Sequence, residues 1–174
     1  MNCMLEKVLN LPRAKLAVTP TPLQSMPNLS KELCGPMLFV KRDDLTGLAL
    51  GGNKARQLEF YMGDAQVRGS DVILTTGAVQ SNFVRTVAAA AAKMGIDCHV
   101  QLEERVSKVD EIYRNSGNVL LDRLLGATLH IYQHGDDEES ADQELRVIAS
   151  RLQLQGRKPY IISLSPGHPS LGAL

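Results

Sequence analysis

Two clusters of residues have the types and spacing to do chemistry. The first is Leu50-Gly51-Gly52-Asn53-Lys54-Ala55-Arg56. Its glycines let the backbone turn tightly and come close to a ligand. Lys54 then falls in the first turn of a helix that Asn53 can cap, where unpaired N–H groups carry partial positive charge. A cation is disfavoured there, so the position suits a neutral amine that attacks an aldehyde. Taken alone, Gly51 to Lys54 is more simply a solvated lysine after a glycine turn. The second cluster is Thr75-Thr76-Gly77-Ala78-Val79-Gln80-Ser81-Asn82. It joins a strand end to a helix start, the place where open α/β sheets bind ligands. Helix amides, the Ser81 hydroxyl and the Asn82 amide would suit a carboxylate or a phosphate. A plain capped loop, with Ser81 only capping, fits the same residues. The spacing matches neither the dinucleotide fingerprint nor a Walker loop, so nucleotide binding is not supported.

Other candidates are weaker. His130, His134, Asp136 and Asp137 are metal-capable types, but they lack a recognised ligand spacing and read better as a solvated helix start, so no metal is expected. Asp43 and Asp44 could form a carboxylate pair or anchor the glycine turn through Asx hydrogen bonds. Cys3, Cys34 and Cys98 are too widely spaced for a zinc site or a disulfide framework.

The elements that must hold these clusters follow from periodicity. Residues 1 to 36 are punctuated by Pro12, Pro20, Pro22, Pro27 and Pro36, which predicts an extended arm with turns. Met37 to Lys41 reads as a short strand. Ala55, Leu58, Met62 and Ala65 share one face of a helix that starts at Asn53, tolerates Gly63 at a cost, and ends at Gly69. Asp71 to Thr76 is a continuous apolar run, as expected for a strand covered on both faces. Ser81 caps a helix over Asn82 to Met94, with Val84, Val87, Ala88 and Ala91 inward and Gly95 as its stop. Cys98 to Leu102, Thr128 to Tyr132 and Tyr160 to Leu164 read as further strands. Helices are expected over Asn118 to Leu125 and along Ala141, Leu145, Ile148, Ala149 and Leu152. The alternation predicts an α/β fold: an open parallel sheet with helices on both faces.

The chain has 174 residues, of which 44% are hydrophobic and 22% charged, which suits a folded core. Lys plus Arg equals Asp plus Glu at 19 each, and aromatics are 4% with no Trp, which argues against nucleic acid as a partner. No stretch approaches the ~20 apolar residues of a membrane span, and no signal peptide is evident, so a cytoplasmic protein without membrane contact is expected.

Thr19-Pro20-Thr21-Pro22-Leu23, the run from Val40 to Lys54 (VKRDDLTGLALGGNK) and Thr76 to Asn82 (TGAVQSN) occur in that order. This arrangement closely resembles the pyridoxal-phosphate enzymes of the D-cysteine desulfhydrase and 1-aminocyclopropane-1-carboxylate (ACC) deaminase family. Leu120 to Ala127 (LLDRLLGA) and Leu171 to Leu174 also look like that family, so the resemblance covers essentially the whole chain. The wording before Lys54 is closer to the desulfhydrase branch.

The resemblance implies pyridoxal 5′-phosphate as cofactor and a small amino acid as substrate. Lys54 would bond to the cofactor's aldehyde and later move protons. Asn82 would hydrogen-bond the ring hydroxyl oxygen. Gln80, Ser81 and Asn82 would hold the substrate carboxylate, with Ser81 assisting proton transfer. Gln57 stands where the family commonly has a lysine that helps hold the phosphate, and Phe83 where it often has His. The implied reaction is α,β-elimination of D-cysteine. ACC deamination and L-cysteate sulfo-lyase chemistry are alternatives on the same scaffold, and a non-catalytic truncated module is another. The family's fold type II architecture would assign residues 1–51 to an arm of a large domain, 52–162 to the small α/β domain, and 163–174 to the start of an incomplete remainder of the large domain. Relatives of this type are roughly twice as long, as two-domain proteins can be, and the full-length form is expected to be a homodimer. The chain by itself is therefore expected to bind cofactor weakly and to turn over slowly or not at all.

Overall fold

The computed structural model describes residues 6, 10–107, 110–133, 135 and 137–163. His134, Asp136, Cys3 and the closing segment 164–174 lie outside them.

A parallel four-stranded sheet organises the fold, with strand order β5-β4-β3-β6. Its strands are β3 (Val72–Ala78), β4 (Asp97–Glu103), β5 (Thr128–Tyr132) and β6 (Pro159–Ile162). The central strand β3 pairs in parallel with β4 on one side and β6 on the other, with Ile73 opposite both Cys98 and Tyr160. Its apolar run lacks alternation because both faces are covered. Ile73 faces a core shared with Val100 and Leu102 of β4, Leu58 and Met62 of α2 (Lys54–Val67), and Val84, Val87 and Ala91 of α3 (Asn82–Met94). Val72 and Leu74 point the other way, onto Leu145, Ile148, Ala149 and Leu152 of a helix over Glu138–Leu154. The expected α/β sheet with helices on both faces is thus what forms.

The helix signals differ in how well they hold. Ser81 caps α3, its hydroxyl oxygen accepting from Val84 N at 3.3 Å, and Gly95 closes it in the left-handed conformation at φ 66°. Asn53 does not cap α2: it is itself helical, and its side chain makes no cap hydrogen bond. The reason is the pair of glycines before it, which bring the chain in already turned. Gly63 in the middle of α2 has a packing cause. A Cβ there would lie 2.5 Å from the Pro12 carbonyl and the Arg13 nitrogen, so the N-terminal arm crosses the helix at this point.

The arm is more structured than its prolines suggest. Ala14, Leu16 and Ala17 are buried against α2. Beyond them, β1 (Leu23–Ser25) and β2 (Phe39–Lys41) form an antiparallel ribbon around α1 (Pro27–Glu32). The strand expected over Met37 to Lys41 is shorter by two residues, because pairing with β1 begins only at Phe39.

On the same face as α2 and α3, a short helix α4 (Glu111–Asn115) is added to the expected elements; Asp110 caps it by accepting from Tyr113 N at 2.8 Å. The following helix, α5, spans Gly117–Leu124 rather than starting at Asn118. The long helix Glu138–Leu154, α6, is capped by Asp137, which accepts from Ser140 N at 3.0 Å, so this acidic residue has a helix-start role. The last strand spans Pro159–Ile162, and Leu164 lies outside the described residues.

Candidate active site

Lys54 is presented by a loop tied down by hydrogen bonds within itself and to Thr21 and Arg56. Asp43 is the anchor. Its carboxylate takes a two-pronged hydrogen bond from Arg56, Nε to Oδ2 at 2.8 Å and Nη2 to Oδ1 at 2.7 Å, and a third from the Thr21 hydroxyl at 3.0 Å. The Arg56 guanidinium holds the Asp43 carboxyl below the usual carboxylate range. Asp43 also binds the loop through its backbone, accepting from Gly52 N at 2.8 Å. The buried Thr46 hydroxyl lies 2.8 Å from Gly52 O and 3.0 Å from Asp43 O. Asp43 and Asp44 are therefore not an acid pair: Asp43 belongs to Arg56, and Asp44 pairs with Arg42 at 2.6 Å.

Between these anchors the chain takes conformations that L-residues avoid. Ala49 and Leu50 have φ of 42° and 72°. Gly51 has φ 71° and ψ −165°, a region essentially reserved for glycine. Strain of this kind costs on the order of 1–3 kcal/mol per residue and persists only where the surroundings impose it.

The second loop ends β3. Gly77 leaves room for Ser81: a Cβ on Gly77 would lie 3.2 Å from Ser81 Oγ and 2.9 Å from Val84 Cγ2. The chain then turns into α3, which points its N-terminus toward the lysine loop. The two loops meet at a cavity of about 440 Å³, lined by Lys41, Asp43, Gly51, Lys54, Asn82 and Arg85 among others. That volume is of the size that holds small ligands. A larger hollow of about 680 Å³ lies near Arg68, Pro159 and Tyr160, at the N-terminal ends of the strands. Ligands in open parallel sheets bind at the carboxyl ends, so the smaller cavity is the candidate site.

Of the residues expected to do chemistry, the structure brings Lys54 and Asn82 into one cavity. Among the described residues the Lys54 amine makes no hydrogen bond or ion pair. Ser81 sits at the cap of α3, beside that cavity rather than in its lining. Gln80 turns away: its Nε2 donates to Tyr113 O at 2.6 Å and Ser116 O at 3.1 Å, and its Oε1 accepts from Asn118 N at 2.9 Å. Gln57 is half-buried on α2 outside the cavity lining. Arg85 carries no signal in the sequence beyond its place on α3, yet it is 7% exposed and reaches the cavity.

The donor set fits the reactive end of pyridoxal phosphate: a primary amine for a carbonyl, an amide for an adjacent oxygen, and cationic Lys41 and Arg85 for negative charge. The close turn at Gly51, where a Cβ would meet Asp44 O at 1.9 Å, lets the backbone line the cavity. When bound, that cofactor supplies an electron sink for a carbanion at a substrate α-carbon.

Four further titratable groups among the described residues, Cys98, His99, His130 and Asp122, are buried or half-buried outside the cavity lining. Cys98 lies on β4 with its side chain in the core, and burial pushes its thiol up to about 12, so it is inert as a nucleophile. His99 and His130 stack with ring centroids 5.2 Å apart and a ring nitrogen contact of 3.0 Å. Burial holds both below the ordinary imidazole range. Asp122, in the LLDRLLGA segment, is fully buried on α5 with neither carboxylate oxygen partnered among the described residues. Burial pushes it up to about 7, with the Arg85 charge pulling the other way. The folded state thus keeps a proton that the unfolded chain releases near 3.8, and stability falls as pH rises between those values. Asp122→Asn is expected to gain about 4 kcal/mol relative to the natural chain between pH 4 and pH 8, at roughly 1.36 kcal/mol per unit. Urea unfolding of both chains across that range checks this, since the difference cancels the histidines. A pH-independent difference would mean that Asp122 is ionised in the fold.

A family model described as pyridoxal-phosphate dependent enzyme matches residues 14–169. D-cysteine desulfhydrases of Salmonella paratyphi B and Salmonella newport are each 41% identical over 170 residues, 98% of this chain and 50% of theirs. The chain thus spans about half the length of the curated relatives it matches. A solved structure described as an ACC deaminase homologue superposes with a TM-score of 0.80 at 39% identity, covering 93% of this chain and 47% of that one. A fungal L-serine ammonia-lyase from Rhizomucor miehei shares the fold, with a TM-score of 0.62 at 23% identity over 90% of this chain and 43% of its own. With the match running through both cavity-forming loops, the chain belongs to the family of pyridoxal-phosphate dependent enzymes.

Proposed function

We propose that this chain carries the lysine-bearing part of a pyridoxal-phosphate lyase of the D-cysteine desulfhydrase type. The observation that carries the reading is the shared cavity of Lys54 and Asn82, with the amine unpaired among the described residues. In this reading Lys54 Nζ would hold the cofactor and take the proton from the substrate α-carbon, and that proton leaves with the departing sulfur. Asn82 donates to the cofactor's ring oxygen. Ser81, whose hydroxyl oxygen already accepts from Val84 N, keeps its own proton free to donate to the substrate carboxylate. Gln80 acts at one remove, by holding the segment around Asn118. Gln57 is the weakest contact to a phosphate, being neutral and outside the cavity lining. The net reaction converts D-cysteine and water to pyruvate, ammonia and hydrogen sulfide. The ACC deaminase homologue at 39% identity supports deamination of ACC as the second reading.

The domain assignment follows the same reading. Residues 52–162 form the small α/β domain, with 1–51 and 163–174 belonging to a larger one. The β1–β2 ribbon supports this: Leu23, Met37 and Phe39 are 66%, 80% and 52% exposed, an apolar surface suited to further chain. A homodimeric, cytoplasmic enzyme acting on a small amino acid completes the proposal. No helix among the described residues is long and apolar enough to cross a membrane.

Incubation of the chain with pyridoxal 5′-phosphate, borohydride reduction and peptide mapping is expected to place the label on Lys54. Label on another lysine, with Lys54 unmodified, would refute the assignment. D-cysteine, ACC and L-cysteate assayed side by side separate the substrates; release of sulfide from D-cysteine alone is the expected pattern.

A further inference from the structure

Arg85 sits at the centre of a hydrogen-bond network whose directions are forced. It has donors only, so any atom facing it must be an acceptor. Its Nη1 lies 2.9 Å from Asn82 and 2.9 Å from Asn118, and both contact atoms are therefore the amide oxygens. Asn118 is fixed a second time from its other end. Its Nδ2 lies 2.8 Å from the Gln80 carbonyl oxygen, which can only accept, and its remaining proton goes to Asn82 Oδ1 at 3.0 Å. Gln80 is fixed in turn by the carbonyls of Tyr113 and Ser116. Arg85 Nη2 reaches Gly51 O at 3.5 Å and so touches the lysine loop as well.

The consequence falls on Asn82. Its oxygen already holds two donors, one from Arg85 and one from Asn118. Its NH2 group has no partner among the described residues, and the residue lines the cavity of Lys54. A carboxamide that could turn freely would offer either end to a ligand; this one offers N–H only.

We infer that Arg85 and Asn118 are positioning residues that lock the Asn82 carboxamide with its NH2 toward the cavity, so that the site selects an aldehyde bearing an oxyanion beside the carbonyl. The inference deepens the proposed function and rests on it for the identity of the ligand. The orientation of Asn82 is a property of the chain alone.

Two measurements test it. In the ¹⁵N-labelled, cofactor-free chain, the Asn82 NH2 is expected to be rigid, and to become mobile in Arg85→Ala and in Asn118→Ala. Asn118→Ala leaves the Arg85 charge in place, and it serves if Arg85→Ala fails to fold. The second measurement compares pyridoxal 5′-phosphate with its 3-deoxy analogue, which lacks the ring oxygen. The natural chain is expected to prefer the first by about tenfold, the scale of one charge-assisted hydrogen bond. Arg85→Ala, Asn118→Ala and Asn82→Ala should each erase that preference, the double variant Asn82→Ala/Arg85→Ala should lose no more, and Arg85→Lys should restore part of it. Equal weakening of both ligands in Arg85→Ala, with an unchanged Asn82 signal, would overturn the inference and leave Arg85 a purely structural group. Absence of the Lys54 label would instead count against the proposed function, while the Asn82 signal would still decide the orientation.

Discussion

Gly51→Ala is expected to cost about 3 kcal/mol of stability and to weaken cofactor capture at least about a hundredfold. Two effects combine at this residue. Its φ of 71° with ψ of −165° lies where a side chain is strained whatever the space around it. The added Cβ would also stand 1.9 Å from Asp44 O and 2.7 Å from Asp44 C, which are backbone atoms and cannot swing aside. Relief requires the strand-to-helix loop to move, and that loop is tied at Asp43, Thr46 and Gly52. Movement therefore breaks the network that presents Lys54. Gly52→Ala is the control. It has φ 114°, but nothing lies within 4 Å of the added atom, so only the backbone cost of roughly 1 kcal/mol applies. Thermal melts and cofactor titration of the two variants check the pair; equal effects would mean that the close approach to Asp44 is unimportant.

Glu59→Leu is expected to destabilise the fold by about 3–5 kcal/mol and to release the N-terminal arm. Glu59 is 2% exposed, on the core side of α2. One carboxylate oxygen accepts from Leu16 N and Ala17 N, both at 2.9 Å, and the other from Arg13 Nε at 2.6 Å. Leucine fits the volume but leaves two buried backbone N–H groups without partners. Those groups then either lose their hydrogen bonds or pull the arm off the helix. Proteolysis between Arg13 and Ala17, slow in the natural chain, should become fast in the variant. An unchanged melting temperature would show that the arm contributes little to the fold.

Residues near each other in the chain made the fold readable. The cap at Ser81 and the stop at Gly95 act over three or four positions, so α3 could be bounded from its own residues. The apolar run Val72 to Leu74 announced a doubly covered strand for the same reason. The family wording around Lys54 and Asn82 marked two loops, and the alternation of strands and helices required both to emerge on the strands' carboxyl side.

The side chains' partners were another matter. Gln80 reads as a ligand contact in TGAVQSN, yet it is spent on carbonyls 33 and 36 positions away. Asn53 has the composition of a cap and does not cap, because Gly51 and Gly52 already direct the chain. Gly63 looks like a flaw in a helix until Pro12 is seen against it. Arg13 and Glu59 are separated by 46 residues, and Arg85 and Asn118 by 33. Which end of Asn82 faces the cavity depends on such distant pairs. Spacing along a chain encodes hydrogen bonds within a turn or between neighbours on one face; it carries no information about which donor a loop brings from thirty positions away, and that is settled only when the sheet closes and the helices pack.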